Sequence, residues 1–226
     1  MLEVLYEDEQ IVAIHKPNGL LVHRSKIADD ADVFAVQLLR DQIGTHVYPA
    51  HRLDRKTSGV LLFAKNATMN TALQAQFMQQ EVAKVYVAIV RGYTDDFGTI
   101  DYALTRDDGK VQDAVTHYRT ISRSELEFPS GKFATSRYSL VEVTPETGRM
   151  HQIRKHFAHI FHPIIGDRPH GCNKQNKLFL EKFQMKEMLL HATRITFTHP
   201  ELNEKRTIES AIQGEFSRMV DRLQLC

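Results

Sequence analysis

Extended, β-branched runs and helix-period stretches follow one another in this chain without strict alternation, and that order limits the fold more than any other feature. Residues 2–6 and 11–15 flank the polar tetrapeptide Glu7-Asp8-Glu9-Gln10, the pattern of a hairpin, and Pro17-Asn18-Gly19 supplies a turn behind it. Residues 59–64 read as a buried strand, 82–90 as a second, and 114–121, 138–143 and 188–198 as three more. Asp32 is placed to cap a helix with Val33, Val36, Leu39 and Ile43 on one stripe and Gly44 at its end. Asn66 is placed to cap another, which carries Met69, Leu73 and Phe77. Further helices are predicted over 149–161, 173–183 and 216–223. In the first of these, Met150, Ile153, Phe157 and Ile160 recur at spacings of three and four and face the core, while His151, Arg154 and Lys155 fall off that stripe. Strands and helices mixed in this way predict an α+β fold rather than a doubly wound parallel sheet. With no internal repeat and no Pro- or Ser-rich linker, the reading is one domain over 1–226.

Composition narrows the class. A 42% hydrophobic content over 226 residues is enough for a sizeable core. No apolar run approaches the roughly 20 residues of a membrane-spanning helix. Residues 1–9 are acidic and lack the basic-then-apolar order of a signal peptide. Cys172 and Cys226 are too few for a disulfide framework, so a reducing, cytoplasmic setting is expected. The formal net charge of +1 conceals a segregation. Residues 146–186 hold eight Lys and Arg against three acidic residues, together with five histidines. The run His51-Arg52-Leu53-Asp54-Arg55-Lys56 is basic too, whereas acidic residues gather near the start and over 95–108. One electropositive face is the expected consequence.

The chain has no Gly-rich phosphate loop, no dinucleotide fingerprint and no Gly-x-Ser-x-Gly elbow. His156/His159 and His159/His162 have the spacing of a helical metal pair, but no acidic residue lies between 147 and 166, and Arg154 and Lys155 would repel a cation. These histidines are expected to pack, cap or meet phosphate. Asp54 is conspicuous among basic and small polar neighbours just before a strand. An aspartate in such a loop ordinarily serves a turn; a catalytic role requires a partner that keeps the carboxylate ionised.

The segment His51-Arg-Leu-Asp-Arg-Lys-Thr-Ser-Gly59 resembles the catalytic signature of the RluA family of pseudouridine synthases. Further segments agree in order: Lys16-Pro-Asn-Gly-Leu-Leu-Val-His23, Lys84-Val-Tyr86, Thr147-Gly-Arg-Met-His-Gln-Ile-Arg154, His162-Pro-Ile-Ile-Gly-Asp167, Leu189-Leu-His-Ala192 and His199-Pro200. Val22-His-Arg-Ser25, Asp41-Gln-Ile-Gly44, Ala114-Val-Thr-His-Tyr-Arg119 and Arg168-Pro-His-Gly171 are similar to the branch that modifies uridine 65 of tRNA. His170-Gly171 replaces the Tyr-Gly pair usual in the wider family.

The resemblance implies a central, mostly antiparallel mixed sheet flanked by helices with an active-site cleft across it; many relatives also carry an S4 RNA-binding domain, for which 226 residues are expected to leave no room. It implies isomerisation of uridine to pseudouridine without cofactor or metal, with RNA (tRNA above all) as partner; nothing in the sequence demands assembly, so a monomer is the default expectation. By the same resemblance Asp54 is the nucleophile. Arg154 pairs with its carboxylate and offsets desolvation. Tyr86 stacks on the uracil and takes the C5 proton, and Ile153 forms part of the apolar wall. Arg52 fills the space left by the everted base. His51, Arg55, Lys56, Arg149, His151 and Lys155 are candidate RNA contacts.

Overall fold

A computed structural model describes residues 1–23, 33–129 and 133–225. In chain order the elements are β1 (Glu3–Glu7), β2 (Ile11–Lys16), α1 (Ala35–Ile43), β3 (Tyr48–Pro49), β4 (Ser58–Ala64), α2 (Ala67–Met78), β5 (Ala83–Arg91) and β6 (Phe97–Asp101). They continue as β7 (Leu104–Thr105), β8 (Val111–Gln112), β9 (Val115–Leu126), β10 (Ser136–Pro145), α3 (Gln152–His159), α4 (Asn173–Phe183), β11 (Leu190–Thr198), β12 (Lys205–Glu209) and α5 (Gly214–Arg222). The fold is α+β, and the described chain divides into two compact units.

The first unit comprises residues 1–84 and 192–211. Its strands run in the order β1-β2-β4-β11, with β3 on β4 and β12 on β11. The β1–β2 hairpin forms as expected, and Asp8 fixes its turn by accepting the amides of Gln10 and Ile11. β2 pairs antiparallel with β4, Ile11 facing Ala64 and Lys16 facing Gly59. Apolar side chains from these strands, including Ile11, Leu62 and Phe197, pack with Met69 and Leu73 of α2. Asn66 caps α2 as its sequence position predicts, accepting the Met69 amide at 2.8 Å. Asp32 lies outside the described residues. The residue before α1 is Phe34, which offers no side-chain cap; the amides of Ala35 and Val36 instead donate to the carbonyls of Leu21 and Val22.

The second unit comprises residues 85–191 and 212–226, of which 130–132 and 226 are not described. Its strands run β5-β10-β9-β6, antiparallel at each pairing, and β7 and β8 form a separate ribbon. β9 and β10 extend well beyond the expected 114–121 and 138–143, through residues whose outward side chains are polar. One apolar cluster joins Ile89 and Tyr138 to Phe179 of α4 and to Phe216 and Met219 of α5. Another joins Val90, Val143 and Ile164 to Ile153 and Phe157 of α3.

α3 begins three residues later than the sequence suggests, and the reason is local. His151 sits in the left-handed region (φ 57°), so the helix starts at Gln152. The Gln152 amide accepts from Thr147 Oγ1 and from the Arg149 N–H, and donates to the Val115 carbonyl and Thr116 Oγ1, pinning the helix start to β9. One expectation fails with that shift, since Met150 stands before the helix and is exposed; Arg154, off the apolar stripe, is nonetheless buried.

Candidate active-site residues

In the first unit the candidates His51, Arg52, Asp54, Arg55 and Lys56 lie on one loop leading into β4. The Thr57 amide donates to the Asp54 carbonyl at 3.0 Å and closes the turn. The 17–20 turn is laced to this loop: the Gly19 amide donates to the Arg55 carbonyl at 2.8 Å, Arg55 Nε returns a bond to the Gly19 carbonyl, and Asn18 Nδ2 donates to the Lys56 carbonyl.

Lys16 sits at the centre of that lacing. Its side chain is fully buried, and Nζ donates to the carbonyls of Pro17, Leu20 and Arg55 at 2.9, 2.8 and 3.1 Å. Three donors meet three acceptors, so the geometry suits the ammonium form. Burial pushes Lys16 down to about 7, and the negative charge of Asp54 pulls it back up. At the loop's far end, Gly59 (φ 112°) has no room for a side chain, since a Cβ would lie 2.2 Å from the Ala192 carbonyl oxygen on β11. The strand can therefore leave the Asp54 turn only through a glycine.

His51 has a structural environment. Its Nε2 accepts the Leu62 amide at 3.1 Å, and its ring stacks on Phe77 with centroids 4.9 Å apart. Burial, aided by Lys84, pushes it down to about 4, so the ring is neutral at physiological pH. Arg52 and Arg55 are exposed and Lys56 is half-buried.

The second unit holds Tyr86, Arg149, His151, Ile153, Arg154 and Lys155. Tyr86 lies on β5 opposite Val143 of β10 and packs against the apolar cluster to which Ile153 belongs. Arg154 is only 6% exposed and Asp167 1%. Nε and Nη2 of Arg154 donate to Oδ2 and Oδ1 of Asp167, each at 2.8 Å, a two-bond fork between planar groups. Asp167 is itself held: Asn176 Nδ2 donates to its carbonyl, and Asn176 Oδ1 accepts the amide of Gly166. Gly166 (φ 82°) lets the chain pass the Glu187 carbonyl, which a Cβ would meet at 1.8 Å.

Around this fork, His151 Nδ1 lies 2.9 Å from His170 Nε2, the His170 amide donates to Asp167 Oδ1, and Arg149 Nε donates to the Asp113 carbonyl. Lys155 Nζ reaches toward the Thr105 carbonyl at 3.5 Å. The histidines within and just after α3 have other work. His156 Nε2 lies 3.0 Å from the Tyr102 carbonyl, His159 stacks on the Tyr102 ring and His162 Nδ1 meets the Arg91 carbonyl.

Lys16 and Asp167 escaped the reading of the residues as site groups. Both stand inside the quoted segments Lys16-Pro-Asn-Gly and Gly166-Asp167, and each is a charged residue beside a glycine turn. That signal marks them only once burial is known.

A family model described as RNA pseudouridylate synthase matches residues 10–159, which include Asp54, Tyr86 and Arg154. A protein of Vibrio vulnificus named tRNA pseudouridine synthase C is 43% identical, the match covering 99% of this chain and 96% of that one. One of the same name from Haemophilus ducreyi is 45% identical over 98% of this chain and 95% of that one. Among solved structures, human RNA pseudouridylate synthase domain containing 4 superposes with a TM-score of 0.75 at 26% identity, covering 98% of this chain and 93% of that one.

Proposed function

The chain belongs to the RNA pseudouridylate synthase family, and from that premise we propose how its own residues carry the reaction. It is an enzyme that isomerises uridine in RNA to pseudouridine. Our proposal for its substrate is tRNA, and for the position uridine 65, by analogy with relatives whose name is tRNA pseudouridine synthase C. The observation that carries the proposal is the family match, whose span contains the whole trio Asp54, Tyr86 and Arg154.

The reaction breaks the bond from uracil N1 to C1′ of the ribose, turns the base, and joins C5 to C1′. A proton leaves C5 and one arrives at N1, so the net change adds no atom and moves no electron to or from an external carrier. In our reading the Asp54 carboxylate is the nucleophile, presented on a loop that the buried Lys16 holds to the 17–20 turn. The Arg154 guanidinium serves that carboxylate, and Asp167 fixes its plane and rotamer in advance. The Tyr86 ring stacks on the uracil and its oxygen takes the C5 proton, while Ile153 walls the base.

Arg52 enters the space the uridine vacates, and Arg55, Lys56, Arg149, His151 and Lys155 meet phosphate. His51 we assign to support of the loop, since its Nε2 already accepts the Leu62 amide. A monomer in a reducing, cytoplasmic setting completes the proposal. Among the described residues no helix is long and apolar enough to cross a membrane, and Cys172 is a free thiol.

The test is to incubate the purified protein with unmodified tRNA transcript and map pseudouridine by carbodiimide labelling and primer extension. The expected result is a single stop reporting position 65. Pseudouridine at another tRNA position refutes the assignment of position; none in tRNA but some in ribosomal RNA refutes the substrate.

A further inference from the structure

A cavity of about 420 Å³ opens in the second unit, lined by Arg91, Tyr93, Phe133, Thr135, Arg137 and Gln175 among others, none of which has a role assigned above. Its size lies in the range of small-molecule sites. Its chemistry is unusual for a surface hollow. Tyr93 and Phe133 are 39% and 54% exposed, so solvent reaches both aromatic side chains. Two arginines line it and no carboxylate does. Arg137 is engaged, with its guanidinium 5.1 Å from the centre of the Tyr93 ring and Nε 3.1 Å from Glu125. Arg91 has no ion pair with any carboxylate among the described residues, although it is half-buried.

The inner wall is rigid. The Tyr138 hydroxyl donates to Oε1 of the buried Gln175 at 2.8 Å. Burial pushes that phenol up to about 12, and the positive charge of Arg91 works against the rise, so the Arg91 field reaches this wall. The β5 end of the cavity is fixed as well, since the Gly92 amide donates to the Arg137 carbonyl and its carbonyl accepts from Ser139 Oγ.

Aromatic faces beside an unneutralised guanidinium match the two parts of a nucleotide, a base that stacks and a phosphate that needs a cation. We propose that this cavity receives a nucleotide of the RNA substrate other than the reacting uridine, with its base on Tyr93 and Phe133 and its phosphate on Arg91. The proposal rests on the chain acting on RNA and adds a second anchoring point for that RNA. Stacking tolerates any base, so the site contributes affinity without reading sequence.

Fluorescein-labelled decaadenylate is the probe, because it carries a backbone and bases but no uridine to react. Anisotropy titration of wild type and of Arg91→Gln/Tyr93→Leu should show at least a tenfold loss of affinity in the variant. Arg91→Gln alone should lower the slope of log K against log salt by about one. With tRNA transcript the double variant should raise KM about tenfold and leave kcat within twofold. A loss of decaadenylate affinity smaller than tenfold overturns the proposal. Failure of the wild type to modify tRNA would instead overturn the substrate reading, and the titration would still decide the cavity.

Discussion

Among the described residues each unit buries one Lys or Arg, and the two are handled differently. Lys16 of the first unit is surrounded by carbonyl oxygens, three of which take its three protons. Arg154 of the second faces a carboxylate through a planar two-bond fork. An ammonium is a compact point charge with rotatable donors, suited to gathering backbone from several turns; a guanidinium is a fixed fork, suited to holding one orientation. The first arrangement therefore organises a loop, and the second aims a side chain. The lysine's charge is balanced only by dipoles and by the field of Asp54, which is why burial brings it down to about 7.

The largest stability effect should come from breaking the fork. Asp167→Ala leaves a buried guanidinium without its carboxylate and should cost about 3–5 kcal/mol in chemical denaturation. The double change Asp167→Leu/Arg154→Met should recover much of that stability while remaining inactive, because an apolar pair of similar volume avoids the desolvation penalty. A double variant as unstable as the single would show that the fork is needed for folding itself, and would remove the contrast with Lys16.

Next in size is Lys16→Met, which keeps the apolar stem and strands three carbonyls. A loss of about 2–3 kcal/mol is expected. Turnover should fall as well, since the 17–20 turn and the Asp54 loop lose their common tie. Intact turnover in a destabilised Lys16→Met would confine the lysine to the fold.

How much of this could be read from the chain before its structure follows from the physics of the two cations. β2, β4, β5 and α4 were legible because apolar periodicity or β-branched runs mark them, and the Asn66 cap because its side chain bonds its own helix. β3, β7 and β8 are two residues each, and β12, Lys-Arg-Thr-Ile-Glu, offers one buried residue, so none carries a period long enough to register. The nucleophile candidate Asp54 was visible only through its motif, for its loop has no periodicity. Arg154 was placed off the apolar stripe by its spacing and in the site only by its motif; its partner Asp167 lies 13 residues downstream in a Gly-Asp turn, a pairing that no helical spacing announces. Lys16 was hidden likewise, since backbone carbonyls leave no trace in residue type.

Smaller effects lie in the pH dependence. Lys16 is lowered to about 7 in the fold from 10.5, so between those values the unfolded chain binds the extra proton and this residue's contribution to stability rises with pH. The gap in denaturant midpoint between wild type and Lys16→Met should accordingly widen from neutral to about pH 10. His51 acts in a lower window. Its folded value of about 4 lies below its ordinary 6.5, so its contribution is present above pH 6.5 and is lost as pH falls toward 4. Substituting Gln at His51 should flatten that part of the stability profile. A profile that is identical with and without His51 would mean that its ring accepts no buried amide.

The account turns on the carboxylate of Asp54, and Asp54→Asn tests it with the least disturbance, because the amide keeps size and shape and removes only the charge. Purified Asp54→Asn should bind tRNA transcript within threefold of wild type, remain folded with a somewhat lower denaturant midpoint because Lys16 loses the field of Asp54, and form no pseudouridine within a single-turnover assay extended about a thousandfold beyond the wild-type half-time. Pseudouridine appearing at a rate within tenfold of wild type would contradict the assignment of Asp54 as nucleophile.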